Sequence, residues 1–144
     1  MGFSNNTPMC KISINSKKMS IDLEDKGIVS KKSLILKPPN IDEKFYFPYI
    51  LGYFDGDGSI TKAFHFGIEG TRETLEWMNK VLGLSCKLEK RYNDEKNNYY
   101  IRAYKQQDVY NILTKLYNSC EYHLERKYLI YKQLEQVVLN RNVK

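Results

Sequence analysis

An α+β domain is what this sequence predicts, from two kinds of hydrophobic period and the punctuation between them. From Pro48 onward, segments with an apolar stripe every three or four residues alternate with paired segments whose apolar side chains recur every second residue. Glycines and polar clusters separate them. The order is helix, two strands, helix, two strands, helix, helix.

Each element has a local cause. Pro48 has the fixed φ suited to a first helical position, and Ile50 to Phe54 continue as an apolar run too rich in large side chains to face water. Gly56 and Gly58 open backbone conformations closed to other residues, so the helix ends and the chain turns into the strand-like Ser59-Ile60-Thr61. Phe64, Phe66 and Ile68 then alternate with His65, Gly67 and Glu69, the period of a half-buried strand. Thr71 is placed to cap a helix with Leu75, Met78 and Leu82 on one stripe, and Gly83 is placed to end it. Trp77 reads as a packing residue of that helix. Strands are expected over Cys86–Tyr92 and Tyr99–Lys105, joined by the polar turn from Asn93 to Asn98. Val109, Ile112, Leu113 and Leu116 mark an amphipathic helix, and a longer one is expected from about Glu121 to Leu139. His123 has no metal-ligand companion and reads as a surface or capping residue.

The N-terminal third echoes this order. Ile12-Ser13-Ile14 reads as a strand, and Met19, Leu23 and Ile28 as a helix with Gly27 near its end. Met19 and Leu23 align with Val109 and Leu113, and Leu36-Lys37-Pro38-Pro39-Asn40 reads as a linker. Two regions follow, residues 1–47 and 48–144.

Composition narrows the class. The chain has 144 residues with 42% hydrophobic content, enough for one domain with a core, and a net charge of +6 that suits a nucleic-acid partner without requiring one. Cys10, Cys86 and Cys120 are an odd set without Cys-x-x-Cys spacing, which indicates neither a disulfide framework nor a zinc site. No apolar run reaches membrane-spanning length, and Met1 to Met9 is polar rather than a signal peptide. The expected setting is a soluble protein of a reducing compartment, the cytoplasm, or an organellar matrix for an organelle-encoded gene.

The densest chemistry lies at the end of the first predicted helix. Asp57 stands where the helix dipole is negative and terminal carbonyls lack partners, a poor place for an anion unless a cation joins it. A carboxylate with backbone carbonyls and water is a ligand set that Mg²⁺ accepts. Gly52 and Gly56, four residues apart, share one helix face on which a second backbone can approach closely. Two such helices side by side would bring two Asp57-type carboxylates together as a paired metal site for attack on phosphate. A plain turn also fits Asp55-Gly56-Asp57-Gly58 taken alone; an EF-hand loop does not, because the glutamate it needs at its twelfth position is missing.

The nine residues Ile50-Leu51-Gly52-Tyr53-Phe54-Asp55-Gly56-Asp57-Gly58 resemble, position for position, the signature helix of the LAGLIDADG homing endonucleases, a family of intron-encoded enzymes of mobile elements. The element order from Pro48 is likewise similar to that family's αββαββα domain, whose antiparallel sheet forms a saddle on DNA. The resemblance implies that Asp57 binds the catalytic Mg²⁺ with the Gly56 carbonyl, that Asp55 is structural, and that Gly52 and Gly56 form the interface between half-sites. Near the start of the last helix, where the family often places a basic residue close to the scissile phosphate, Lys127 is the better candidate beside Arg126; a solvated helix charge is the plainer reading. Coverage corresponds to the end of repeat one, as a remnant with its linker in residues 1–47, plus all of repeat two, with no first motif helix ahead of Pro48. Either the chain completes the paired site as a homodimer, or it is a truncated remnant or a split-gene piece that needs a separate first-repeat partner.

The strand period also describes a DNA surface. If Leu88, Ile101 and Ala103 face the core, then Lys87, Glu89, Arg91, Tyr100, Arg102 and Tyr104 face outward, a basic and aromatic set able to meet phosphates and base edges. Lys62 and His65 join it from the first hairpin, which is short for a sequence-specific member of the family. Without the motif, the same alternation describes a solvated sheet face. The function expected on the resemblance is Mg²⁺-dependent hydrolysis of double-stranded DNA. The alternative is a non-catalytic nucleic-acid-binding module, similar to an intron RNA maturase or a DNA-binding regulator.

Overall fold

The computed structural model describes residues 13–29, 34–91 and 96–142. In chain order the elements are α1 (Lys17–Asp25), α2 (Tyr46–Asp57), β1 (Ser59–Ile60), β2 (Phe66–Gly70), α3 (Arg72–Leu82), β3 (Glu89–Lys90), β4 (Tyr99–Ala103), α4 (Gln106–Tyr117) and α5 (Glu125–Asn142). The four strands form one antiparallel sheet in the order β1-β2-β4-β3. The chain is therefore α+β, and from α2 onward its elements follow the order expected from the periods.

One face of the sheet carries the core. Phe66 and Ile68 of β2 and Ile101 and Ala103 of β4 are buried among Ile50, Leu51 and Phe54 of α2, Leu75, Met78 and Leu82 of α3, and Val109, Ile112, Leu113 and Leu116 of α4. Tyr131, Leu134 and Val138 of α5 close the cluster. Burying these large aliphatic and aromatic side chains is the main favourable contribution to folding, at about 1.5–3 kcal/mol each. Trp77 packs edge-on against Tyr46 and Tyr49, with ring centroids 5.0 and 5.9 Å away. The caps of α3 form as expected, with Thr71 accepting from the Thr74 N–H and Gly83 taking φ 69° at the C-terminus.

Several boundaries move, each for a visible reason. Helix α2 starts at Tyr46, so Pro48 is its third residue, where the missing N–H is still one that no helix carbonyl would have accepted. The alternation from Phe64 breaks because Phe64 has φ 63° in the loop between β1 and β2, and β2 begins only at Phe66. The strand expected over Cys86–Tyr92 contracts to Glu89–Lys90: the Asn79 side-chain amide takes the place of a neighbouring strand, donating to the Cys86 carbonyl at 2.9 Å and accepting its N–H at 3.3 Å. The last helix starts at Glu125 rather than Glu121 and reaches Asn142.

The N-terminal region departs most. Residues 13 and 14 form no strand; Ile12 and the first part of the turn before β4 lie outside the described residues. Helix α1, capped by Ser16 on the Met19 N–H, buries none of its residues, whereas Val109 and Leu113, the positions it echoes, are core. Leu36 and Pro39 are buried, and the Leu36 carbonyl accepts from the Thr71 and Thr74 hydroxyls at 2.5 and 3.0 Å. The linker is thus fastened to the N-terminus of α3 by two buried hydrogen bonds. Cys86 and Cys120 are free thiols, and among the described residues no helix is long and apolar enough to cross a membrane.

Candidate functional site

The C-terminus of α2 is the most connected polar region of the chain. Lys127, on α5, is 1% exposed, and its ammonium donates to the carbonyls of Phe54, of Asp55 at 3.2 Å and of Gly58 at 2.5 Å. The same ammonium lies 4.5 Å from the centre of the Phe54 ring. In return, Asp55 Oδ2 accepts the Leu124 N–H at 2.8 Å, where the backbone enters α5. Each helix thereby supplies the countercharge to the other's dipole end: a cation at the negative terminus of α2, an anion at the positive terminus of α5. Burial pushes the Lys127 ammonium below its ordinary range and neighbouring Arg126 adds to this, while Asp55 and Asp57 pull the other way.

Lys127 therefore faces inward, on the buried stripe that continues through Tyr131, Leu134 and Val138. Through these three carbonyls it holds the end of α2. The cation that physics demands at this helix end is an ammonium of the chain itself. Asp55 matches its structural reading. Its Oδ1, together with Tyr117 Oη and His123 Nδ1, is buried without a partner among the described residues.

Asp57 differs from Asp55 in every respect. It is exposed and forms no hydrogen bond or ion pair with any described residue. It lines a cleft of about 260 Å³ with Tyr53, Glu69 and Asn98, and a second of about 320 Å³ with Gly52, Gly56, Ile28 and Leu36. Tyr53 donates to the Glu69 carbonyl at 3.0 Å, and burial, helped by the negative charge of Asp57, pushes its phenol up to about 12. Gly52 and Gly56 are exposed, and a Cβ on either meets nothing within 4 Å. Gly58 is the opposite: its Cβ would sit 2.6 Å from the Phe54 carbonyl oxygen and closer still to the Phe54 ring.

Among the described residues no three His, Cys, Asp or Glu side chains converge. Mg²⁺ is commonly held through one or two carboxylates with water and substrate phosphates. An exposed, unpaired Asp57 fits as one such ligand, and Lys127 nearby disfavours a second cation drawing close.

The sheet face opposite the core carries Tyr100 and Arg102 of β4, with Arg91 beside them. Register places Ser59, Gly67 and Arg102 in one row across β1, β2 and β4, and Glu69, Tyr100 and Glu89 in the next. Arg91 pairs with Glu69, and Arg102 with Glu89 at 3.4 Å, while the two guanidinium carbons lie 5.3 and 4.5 Å from the centre of the Tyr100 ring. Tyr100 is flanked by arginines on its own face. Tyr104 is 53% exposed and packs against the His65 ring at 5.0 Å; Lys62 and Lys87 are exposed.

Two features of this face were not legible as function. Glu69 and Glu89 offset the charge of the two arginines, so the face is less basic than its residue list. Asn98 holds Glu69 Oε1 at 2.7 Å; burial raises the Glu69 carboxyl, but the bonds from Arg91 and Asn98 outweigh it and leave the group below its ordinary range. The two-residue period put Glu89 on the face of Tyr100 and Arg102, and set Glu69 opposite the apolar side of its own strand, yet pairing across strands is needed to see which acid meets which base. Compared with known proteins, the chain matches no family model and no curated protein.

Proposed function

We propose that this chain is a LAGLIDADG-type domain acting on nucleic acid, with Mg²⁺-dependent hydrolysis of double-stranded DNA as its activity and its sheet curved as a saddle over the duplex. The observation that carries the reading is the state of Asp57: an exposed, unpaired carboxylate at the end of a helix whose Gly52 and Gly56 face is open, sharing a cleft with Glu69 of the outward sheet face. When bound, Mg²⁺ held by Asp57 and the Gly56 carbonyl would supply charge neutralisation at phosphate. The chain's residues do the rest. Lys127 and Asp55 hold the terminus of α2 in place, and Lys62, His65, Lys87, Arg91, Arg102 and Tyr104 position the duplex through phosphates and base edges. A second Asp57-type carboxylate comes from a second copy or a separate first-repeat partner across the open glycine face.

A second reading has its own support: the α2 terminus is already neutralised by Lys127, and one carboxylate is present where paired chemistry wants two. On that reading the chain is a non-catalytic nucleic-acid-binding module, of the intron-RNA maturase kind or a DNA-binding regulator. Nicking of supercoiled DNA with Mg²⁺, comparing the chain with Asp57→Asn, separates the two. Metal-dependent nicking lost in the variant supports the nuclease; binding by both proteins with no cutting by either supports the module.

A further inference from the structure

The row Ser59, Gly67, Arg102 has hydrogen-bond donors at both ends and no side chain in the middle. The gap is the floor of a cleft of about 220 Å³, lined also by Thr61, His65 and Tyr104, with no carboxylate among its lining residues. That is space for about seven waters at roughly 30 Å³ each. The two clefts beside α2 both include Asp57, so this is the cleft of the open face whose lining offers donors without an acid. A Cβ at Gly67 would stand 3.1 Å from Ser59 Oγ and 3.9 Å from Arg102 Cγ, filling the floor.

Thr61 Oγ1 accepts the His65 N–H at 3.1 Å, which occupies an oxygen lone pair and leaves the hydroxyl proton available. Glu89 engages Nη1 of the Arg102 guanidinium, at 3.4 Å. Phe64, in the left-handed region at φ 63°, turns the loop so that the His65 ring meets Tyr104. Hydroxyls, an imidazole and a guanidinium around a notch are the partners of a tetrahedral oxyanion.

We infer that this notch is a phosphate-binding cradle, in which Arg102 supplies the charge and Ser59, Thr61 and Tyr104 supply neutral donors. The inference rests on the nucleic-acid reading only for the source of the phosphate, a backbone phosphodiester of a strand lying on the sheet. The test is a titration of the full chain with inorganic phosphate against chloride at matched ionic strength, followed through backbone amide NMR shifts. Saturable shifts are expected at Ser59, Thr61, His65 and Gly67. Arg102→Gln weakens the midpoint about tenfold, and Gly67→Ala, which changes no charge, weakens it as well. Shifts no larger than those from chloride, or a midpoint unmoved in both variants, would overturn the cradle. A short DNA duplex that competes for the same amides identifies the phosphodiester as the source. Phosphate binding that duplex leaves undisturbed keeps the cradle, assigns it to free phosphate, and counts against the DNA reading.

Discussion

Replacing Lys127 with methionine removes the cation from the end of α2 and keeps a flexible side chain of similar length in its place. The Phe54 carbonyl still accepts the Gly58 N–H at 2.8 Å, so the loss falls on the carbonyls of Asp55 and Gly58. An orphaned buried acceptor costs about 1–3 kcal/mol, giving roughly 2–6 kcal/mol for two. Part of this returns because a buried ammonium no longer has to be desolvated. A net loss of about 3 kcal/mol follows. At roughly 2.1 cal/mol/K per residue, a chain of 144 residues has an unfolding entropy of about 0.3 kcal/mol/K, so the thermal midpoint falls by about 10 °C. Circular dichroism melts of the two proteins read this directly. A variant that melts within a degree or two of the parent refutes the cap; if the same variant also loses nicking, Lys127 works at the phosphate instead.

The glycines of α2 separate packing from docking. Gly58→Ala is expected to destabilise by about 1–3 kcal/mol through its clash with Phe54, whereas Gly52→Ala and Gly56→Ala meet empty space and leave the monomer as stable or up to about 1 kcal/mol more stable each. Urea midpoints check all three, and loss of nicking or self-association in the last two alone assigns that face to a partner. Alkaline pH gives a further test. Tyr49, Tyr53, Tyr100, Tyr117 and Tyr131 all titrate above their ordinary 10.0 in the folded chain, each mainly through burial, Tyr53 at about 12. Between those limits the folded state keeps protons that the unfolded state has released, so this contribution is whole below pH 10 and lost as pH rises through about 12. Lys127, shifted downward, acts with the opposite sign below 10.5, as a single group against five. Urea midpoints that hold steady from pH 10 to 12, with tyrosinate absorbance rising freely in the folded protein, would refute the burial of these phenols.

How much was legible depended on how far along the chain the deciding contact lay. The core stripes of α3 and α4, the Thr71 cap and the inward set of β4 are local patterns, and they form as the periods require. The shrunken β3 is a contact over seven residues, between Asn79 and Cys86, that propensity does not register. The left-handed Phe64 is a loop conformation that favours glycine, found at an aromatic residue. Lys127 reaches carbonyls 69 to 73 residues earlier, so its charge read as solvated. Its place four residues before Tyr131, on the same stripe as Leu134 and Val138, was the one sign that it points inward.

The anchorage of Leu36 on Thr71 and Thr74 has a consequence for anything that approaches the glycine side of α2. Leu36 and Ile28 form the rim of the same groove as Gly52 and Gly56, so the upstream arm stands as a doorpost on that threshold. A visitor must either fit the aperture the arm leaves or slide between two hydroxyls and the carbonyl they grip. Access to the glycine face is thereby tied to a contact made on α3.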